Sequence, residues 1–471
     1  MPVIYVQNES AGLLPQRLRY VLDILEQHPL APPDVHFEMQ KTSAADFTVV
    51  YGGAANPAAD CIPVEGSGKF LLEKKLEEYR PGDIQNWKKR IFSFDEKVLY
   101  GLDFGKKSGV GETPFFKDGK IEMDIFANLF FHLSRMEEWI CTADQLDAHE
   151  RMQAGKQFLV RENIAHKPVV DQIVSAFYEC LGFAPQRWPA IISLTHDIDL
   201  IQKFKGFGNF IRQAFGLFYH QKNPTQLARF KFQFFKTRLS GKADPFDTFH
   251  WLLADERVGE RVIYFLAGGS RAKVENHFSI KSPEARRIIG LAKERGYVIG
   301  LHPSYDAHTD GQLFEKQKQT LEEVAQTTIR HSRQHYLRWK FPETPDLIEK
   351  SGLAYDSTLG FADRIGFRCG TGFDYPLYNF KEERAYHFLE RPLVLMDVAW
   401  LREVLPEFPQ RRLSGEQMDQ ADQKLEDFLS ANEWNTAICT NFHNSVFDSV
   451  NLDADRLKKI YLEKIVRAGN K

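Results

Sequence analysis

The sequence predicts an α/β protein of two units, the second a parallel β/α unit closed as a barrel or partly open. At 471 residues the chain exceeds the usual size of one domain. After residue 190, apolar segments of strand length alternate with helical segments, which is typical of parallel sheets. Pro185 and Pro189 restrict the backbone just before this alternation begins. We therefore predict a smaller N-terminal α/β domain over 1–185 and a second domain over 186–471.

Composition and charge are those of an ordinary globular protein, with 43% apolar and 27% charged residues. The net charge of −3 gives no reason to expect nucleic acid as a partner. The five cysteines form no Cys-x-x-Cys pair, which argues against a disulfide framework and against a structural zinc site. Neither a secretory signal nor a run of ~18 apolar residues is visible, so we expect a cytoplasmic protein.

In the N-terminal unit, strands are expected over 3–6 and 47–51, and a helix over 14–25, where apolar residues recur at helical spacing. A further helix is expected to begin after Asp124, a suitable N-cap residue. No catalytic cluster is visible here. The polar segment 147–151 is interpreted as a solvated ion-pair segment, with a functional site as the alternative.

The second unit contains the alternating elements. Ser282 and Pro283 mark the start of one helix and Gly296 its end, by the usual chemistry of helix termini. The same kind of inspection predicts strands over 190–199, 261–266, 297–302, 333–339 and 436–443, and helices over 282–295, 311–326, 344–351 and 454–466.

Three of these strands end in polar residues whose side chains can bind metals or transfer protons. Asp197 and Asp199 end the first strand, His302 ends another, and His443 follows the last. Because the carboxyl ends of parallel strands converge on one edge of a sheet, these side chains are expected to meet there. Carboxylates and imidazoles brought together in this way indicate a metal-assisted hydrolytic centre.

A hydrolytic metal site needs about three protein ligands and one open position. We expect Asp199, His302 and Asp306 to be these ligands, with His308 competing with Asp306 for the third place. Pro303 favours extended geometry at His302, as expected at a strand terminus. Asp306 follows four residues later, so one helical turn returns its carboxylate to the imidazole.

Hydrolysis also needs a base for the water proton and an acid for the leaving group. Asp197 and His443 are the candidates for these two roles. Structural alternatives stay open, because an aspartate after a strand also forms turns or caps, and His302 could be a satisfied core histidine. His335, which shares a strand face with Arg333, either lines the pocket or is structural.

The segment 203–242 differs from the rest of the chain. It holds nine lysine or arginine residues and no acidic residue, interleaved with ten phenylalanine or tyrosine residues. One interpretation is a helical hairpin whose aromatic side chains pack on the barrel. The other is a cationic, aromatic surface for a phosphorylated or lipid-linked substrate, or for peripheral contact with a membrane.

The motifs of the second unit together resemble the polysaccharide deacetylases of carbohydrate esterase family 4, the NodB-homology domain. The family's first-strand motif is similar to Thr195-His-Asp-Ile-Asp199, and its second to His302-Pro-Ser-Tyr-Asp306. Its arginine motif is similar to Ser332-Arg-Gln-His-Tyr-Leu337, its fourth motif to Tyr355-Asp-Ser-Thr-Leu-Gly-Phe361, and its final histidine motif to Asn441-Phe-His-Asn444. The resemblance covers residues from about 190 to 471 and implies a distorted β/α barrel.

Two departures from the family pattern stand out. Ile198 occupies the position of the family's metal-binding aspartate, so ligation would pass to Asp199, which occupies a glycine position. Asp306 replaces the second metal histidine. The N-terminal stretch 124–138 looks like the uncharacterised domain that precedes a bacterial branch of this family.

The resemblance implies a metal-dependent hydrolase that removes an acetyl group from an N- or O-acetylated sugar or glycan precursor. It gives Asp197 the role of base and His443 that of acid, while Arg333 orients Asp197. The metal is expected to be zinc, with manganese, iron or cobalt as alternatives. The alternatives to a hydrolase are a non-catalytic carbohydrate-binding protein on a degenerate deacetylase fold, or another metal chemistry.

Overall fold

The computed structural model is a mixed α/β protein with three sheets. No helix among the described residues is long and apolar enough to cross a membrane. The structure describes residues 2–8, 15–40, 45–52, 61–68, 70–79, 81–105, 111–219, 224–240, 244–253, 260–268 and 278–467.

A six-stranded sheet and a three-stranded sheet form the N-terminal part. The strands, in chain order, are β1 Val3–Asn8, β2 His36–Glu38, β3 Phe47–Tyr51, β4 Cys61–Val64, β5 Lys89–Phe94, β6 Lys97–Leu102, β7 Thr113–Pro114, β8 Phe116–Lys117 and β9 Lys120–Ile121. The larger sheet has the order β2-β1-β3-β4-β9-β8, in which only the β8–β9 pair is antiparallel. The smaller sheet has the order β6-β5-β7.

Among the described residues, seven α-helices accompany these sheets. They are α1 Pro15–Gln27, α2 Phe70–Glu73, α3 Pro81–Gln85, α4 Ile125–Leu133, α5 Met136–Trp139, α6 Phe158–Arg161 and α7 Val169–Cys180. Helix α4 begins where the sequence predicts, because the Asp124 carboxylate accepts the backbone N–H of Ala127 and caps the helix. All nine residues of α4 are buried.

The second half is built on one curled, nine-stranded sheet. Its strands are β10 Ile191–Ile198, β11 Arg261–Leu266, β12 Val298–His302, β13 His331–Ser332, β14 Tyr355–Asp356, β15 Tyr375–Asn379, β16 Arg384–Glu390, β17 Leu393–Met396 and β18 Ala437–Asn441. The order is β15-β16-β14-β13-β12-β11-β10-β18-β17, and every neighbouring pair is parallel except β15–β16. No ladder joins edge strands β15 and β17 within the described residues.

Nine α-helices lie around this sheet in the part of the chain that the structure describes. They are α8 Phe207–Tyr219, α9 Pro224–Ser240, α10 Phe249–Leu252, α11 Pro283–Glu294, α12 Gly311–Ala325, α13 Glu343–Lys350, α14 Asp397–Arg402, α15 Gly415–Ala431 and α16 Ala454–Ile460, which continues as a π-helical turn over Tyr461–Val466. The alternation of strand and helix confirms the predicted α/β class.

One predicted strand of the second half is wrong. No strand spans 333–339. The short strand β13 ends at Ser332, and a 3₁₀ turn follows over His335–Leu337. Tyr336 and Leu337 have φ values of 60° and 53°, which no extended strand allows. The chain therefore turns immediately after Arg333, and this turn decides where His335 points.

The two halves of the chain pack closely on each other. Tyr20 of α1 donates a hydrogen bond to the carbonyl of Pro376 in β15 at 2.8 Å. Arg17, also on α1, forms an ion pair with Glu383 at 2.6 Å. A continuous cluster of buried apolar residues runs from α1 and α4 into β15 and β16. The division at residue 185 stays a prediction.

Candidate metal centre

Asp199, His302 and His335 come together at the carboxyl edge of the nine-stranded sheet. Their ligand atoms all lie within 4.8 Å of one another. Asp199 Oδ1 is 3.2 Å from His302 Nε2 and 3.7 Å from His335 Nε2. The three residues follow or end β10, β12 and β13, because parallel neighbouring strands deliver their carboxyl ends to one edge. Two imidazoles and one carboxylate can hold a divalent metal.

The hydrogen bonding of His302 fits a ligand. Its Nδ1 lies 2.6 Å from the backbone carbonyl of Arg333, which can only accept a hydrogen bond. Nδ1 therefore carries a proton, so Nε2, the ring nitrogen that faces Asp199, is the one available to a metal. Metal-binding histidines are usually oriented by such a contact at the second ring nitrogen. The buried Asp199 Oδ1 accepts no well-aligned hydrogen bond from the described residues, which also fits a place for a cation.

Electrostatics keep Asp199 ionised. Burial acts to raise the pKa of its carboxyl, but His335 and His302 outweigh this and hold the pKa well below its usual range. A carboxylate that stays ionised offers its lone pairs to a metal at neutral pH.

Asp197 lies beside this group and is held at both oxygens. Its Oδ1 accepts a hydrogen bond from Arg333 at 2.9 Å, and its Oδ2 accepts one from Asn441 at 2.7 Å. Burial acts to raise the pKa of Asp197, yet the charge of Arg333 lowers it overall. Oδ2 is also 4.0 Å from His302 Nε2 and 3.9 Å from His443 Nε2. Asp197 is thus an ionised, oriented carboxylate next to the candidate ligands.

Arg333 is fully buried, and hydrogen bonds fix the orientation of its guanidinium. Besides Asp197, it donates to Thr195 Oγ1 at 2.7 Å and to the carbonyl and hydroxyl of Ser357, each at 2.8 Å. Its guanidinium carbon lies 4.5 Å from the ring centroid of Tyr264. The contact to Asp197 is the one that the resemblance implies. A buried arginine with this many fixed partners holds Asp197 in one orientation.

His443 has a carboxylate partner that the sequence analysis did not identify. Its Nδ1 lies 2.8 Å from Oδ1 of Asp397, a fully buried residue that begins α14. Burial lowers the pKa of His443, but Asp397, helped by Asp199 and Asp197, raises it to about 10. His443 Nε2 is 3.9 Å from Asp199 Oδ2. At neutral pH His443 therefore carries a proton beside the candidate ligands.

The group that the structure brings together contains His335 in the place expected for Asp306 or His308, and the expectation that one of these two is a ligand stays a prediction. Asp306 is an exposed residue of the 3₁₀ turn over Tyr305–His308, and its carboxylate lies 4.0 Å from Arg338. His308 Nε2 lies 3.4 Å from Glu150. The turn after β13 brings His335 to Asp199 and His302.

The segment 147–151 from the N-terminal half touches the turns around this group. Arg151 donates to the carbonyl of Tyr336 at 2.5 Å, and His149 Nδ1 is 3.0 Å from the hydroxyl of Tyr305. Arg338 donates to the carbonyl of His149 at 3.2 Å and also binds Glu150. The interpretation of this segment as merely solvated is therefore incomplete, because it supports the turn that carries His335.

The sequence contained partial signs of the three residues that were missed. His335 shares a face with Arg333 in the strand predicted over 333–339, and that predicted strand hides the turn that brings His335 to the group. Asn441 lies in the final histidine motif, where the resemblance gives a role to His443 only. Asp397 follows the short apolar strand β17 and begins a helix, which is the pattern that identified Asp197 and Asp199.

Comparison with known proteins adds little to this geometry. Residues 5–185 match a family of unknown function (DUF7033), which concerns the N-terminal part of the chain only. No curated protein matches the chain.

Two solved structures have limited similarity to the chain. One is a proposed polysaccharide deacetylase from Mycobacterium smegmatis, at 16% identity and a TM-score of 0.32, over 60% of this chain and 87% of that one. The other is a GH57 branching enzyme from the archaeon Thermococcus kodakaraensis, at 9% identity and a TM-score of 0.30, over 59% of this chain and 69% of that one. With TM-scores this low, neither similarity assigns a function to the chain.

Proposed function

We propose that this protein is a metal-dependent hydrolase that removes an acetyl group from an N- or O-acetylated sugar or glycan precursor. The observation that carries the proposal is the grouping of Asp199, His302 and His335 beside an ionised Asp197 and a protonated His443. A metal-capable triad next to both a proton acceptor and a proton donor is the combination that hydrolysis requires.

The donor set fits a catalytic metal. Two imidazoles and one carboxylate leave an open coordination position, as in the catalytic zinc sites of hydrolases. Manganese, iron and cobalt remain alternatives, because all accept nitrogen and carboxylate ligands. When bound, the metal would polarise the acetyl carbonyl and make a bound water more acidic.

The protein's own residues would move the protons. Asp197 is ionised and fixed by Arg333 and Asn441, so its Oδ2 can accept a proton from an attacking water without first turning. His443 holds a proton at neutral pH because of Asp397, and can donate it to a departing amine or hydroxyl.

The substrate class rests on the motif resemblance to the polysaccharide deacetylases, in which Asp197, Arg333 and His443 take the same roles. An acetylated sugar joined to a phosphate or a lipid fits a cytoplasmic protein better than a finished wall polymer does. Nucleic acid is not part of the proposal, since the net charge is −3.

Acetate release tests the proposal directly. Purified protein loaded with zinc would be incubated with N-acetylated oligosaccharides and O-acetylated sugars, and released acetate measured before and after chelation. We expect release that is lost on chelation and recovered on adding metal. Metal-loaded protein that releases no acetate from any of these substrates would contradict the proposal. Carbohydrate binding without release would indicate the binding protein instead.

A further inference from the structure

We propose that the hairpin formed by helices α8 and α9 docks this protein on an anionic membrane surface. The first observation is the location of exposed apolar side chains. Twelve large apolar residues are exposed among the residues that the structure describes, and seven of them lie on these two helices. These seven are Phe207, Ile211, Phe215, Phe218, Phe232, Phe235 and Leu239, with exposed fractions between 50% and 84%. Concentration in one place marks an interaction surface.

The arrangement on α9 is that of a helix lying at a lipid interface. Phe232, Phe235 and Leu239 recur at spacings of three and four residues and share one outward face. By the same helical geometry, Lys231 and Arg238 lie along one side of this face, and Arg229 and Lys236 along the other. An apolar stripe flanked by basic residues allows aromatic rings to enter the acyl boundary while the cations reach the headgroups.

Helix α8 repeats the pattern in simpler form. Phe207, Ile211, Phe215 and Phe218 follow one another at spacings of four, four and three residues, so they form an exposed stripe along the helix. The same helix carries Phe210 on its inner side. Two exposed stripes on consecutive helices provide more apolar area than a single helix would.

These stripes are not the core of the hairpin, because a separate set of side chains forms it. Phe204, Phe210, Phe230 and Phe234 are buried together, with the Phe210 and Phe234 rings stacked at 4.0 Å. These four pack on one another and on Val450, in a cluster separate from the main cores, so the expectation that the aromatic residues pack on the barrel stays a prediction. The seven exposed residues lie outside this buried set and keep half or more of their side-chain surface accessible.

The hairpin is fixed to the body of the protein. Lys203 forms a buried ion pair with Asp448 at 2.5 Å and donates to Gln233 of α9 at 2.6 Å. Asp448 also accepts a hydrogen bond from Gln233. A docking force on the hairpin would therefore hold the whole protein at the surface.

The positive charge of the hairpin segment favours an anionic membrane surface over a neutral one. The segment 203–242 holds nine basic residues and no acidic one, in a chain whose net charge is −3. A cleft of about 390 Å³ between α9 and the segment after β18 is lined by Arg229, Lys236 and Phe232, among others. A soluble phosphorylated ligand would use the cations and leave the apolar stripes exposed, whereas a bilayer uses both.

Vesicle sedimentation of the full chain tests the proposal. Wild-type protein would be mixed with phosphatidylcholine vesicles with and without phosphatidylglycerol, across a salt series. We expect binding only to the anionic vesicles, weakening as salt shortens the range of the charges to about 8 Å. Each basic residue near such a surface contributes about fivefold in partitioning, so neutralising four should weaken binding by about 600-fold.

Two variants and one matched control make the test specific. The charge variant changes Arg229, Lys231, Lys236 and Arg238 to glutamine. Its control changes four exposed basic residues on other helices to glutamine and gives the same net charge: Arg286, Lys316, Lys350 and Lys459. The apolar variant changes Phe232, Phe235 and Leu239 to serine, with an expected loss of at least ~10-fold.

Each outcome decides the matter. Loss of binding in the charge and apolar variants but not in the control supports docking through the hairpin. Three results would overturn it: no anionic-vesicle binding at low salt, equal loss in the control, or an apolar variant that binds like wild type. A change in oligomeric state in place of vesicle binding would instead assign the surface to self-association. Acetate release from soluble substrates is unaffected in all variants, so this result is independent of the proposed activity.

Discussion

The carboxylate of Asp397 contacts His443 at two points. Oδ1 lies 2.8 Å from the Nδ1 of the ring, and Oδ2 accepts the backbone N–H of the same residue at 2.6 Å. The two contacts fix both the position of His443 and the direction in which Nε2 points. Because Asp397 is fully buried, little solvent competes for this pair.

From this pair we predict that Asp397→Asn slows acetate release while metal content stays at the wild-type level. The change keeps the shape of the side chain. It removes the negative charge that orients His443 and keeps its imidazole protonated, so a loss of ~10²-fold in kcat is expected. Release rate and elemental analysis check the prediction on the same preparation. The double variant with His443→Ala should lose little more than His443→Ala alone, and additive losses would contradict the pairing.

The protein should bind about one divalent metal per chain through Asp199, His302 and His335. His335→Ala should lower metal affinity by ~100-fold or more, as should Asp199→Ala and His302→Ala. Asp306→Ala is the matched control, because it removes an exposed carboxylate from the neighbouring turn. Elemental analysis after dialysis against buffered metal measures the content. Equal losses in Asp306→Ala and His335→Ala would show that the third ligand is misassigned.

Asp197→Asn should keep the metal and lose activity. The amide cannot accept the water proton, so acetate release should fall by ~10²–10⁴-fold. Because the variant leaves the Arg333 charge without its partner, thermal unfolding should be recorded to show that the protein is folded. If Asp197→Asn loses metal as completely as Asp199→Ala does, the roles of the two aspartates are exchanged.

The N-terminal segment should influence the metal centre from outside it. Arg151→Ala removes the contact to the Tyr336 carbonyl, which supports the turn carrying His335. We expect a loss of ~10-fold in metal affinity, since residues that orient ligands usually contribute this much. Arg187→Ala, which removes an exposed arginine at the start of the second unit, is the control and should bind metal normally. Unchanged affinity in Arg151→Ala would restrict the segment to packing.

A buried carboxylate far from the metal centre should set the acid stability of the protein. Glu138 accepts hydrogen bonds from Arg368 and Arg135 at 2.6 and 2.7 Å. Burial acts to raise the pKa of Glu138, but Arg368 and Arg135 lower it to about 2, below the value of 4.5 for a free glutamate. Its contribution is therefore complete above about pH 4.5 and is lost as the pH falls towards 2.

Glu138→Gln makes this contribution measurable. At pH 7 the variant should be less stable than wild type by roughly 3 kcal/mol, and the difference should shrink between pH 5 and pH 3. Urea unfolding at several pH values gives both quantities. Glu294→Gln, an exposed control, should show no such trend. A difference that grows as the pH falls would refute the assignment.

The positions of the strand ends could be predicted from the sequence, whereas the turns after them could not. Asp197, Asp199, His302 and His443 were placed at one edge because apolar runs of strand length precede them. The choice of His335 over Asp306 depends on the positive φ values of Tyr336 and Leu337. Tyrosine and leucine seldom adopt a positive φ, so no local sequence pattern predicts the turn.

Contacts between segments far apart in the sequence explain why the role of Asp397 could not be predicted. Asp397 meets His443 because β17 pairs with β18, although β17 lies about 40 residues earlier in the chain. Strand order of this kind is not encoded in local periodicity. The exposed face of α9 could not be predicted for a related reason. Composition gives the number of aromatic residues but does not indicate which of them the hairpin buries.

Arg333 serves two neighbours with two different parts of the residue. Its backbone carbonyl orients the candidate ligand His302, and its guanidinium orients the proposed proton acceptor Asp197. A substitution at this position removes only the second contact, because every residue has a carbonyl. If the proposed function holds, one substitution would abolish turnover and leave metal binding intact. A relative that diverged in this way would bind metal on the same fold without the proposed reaction.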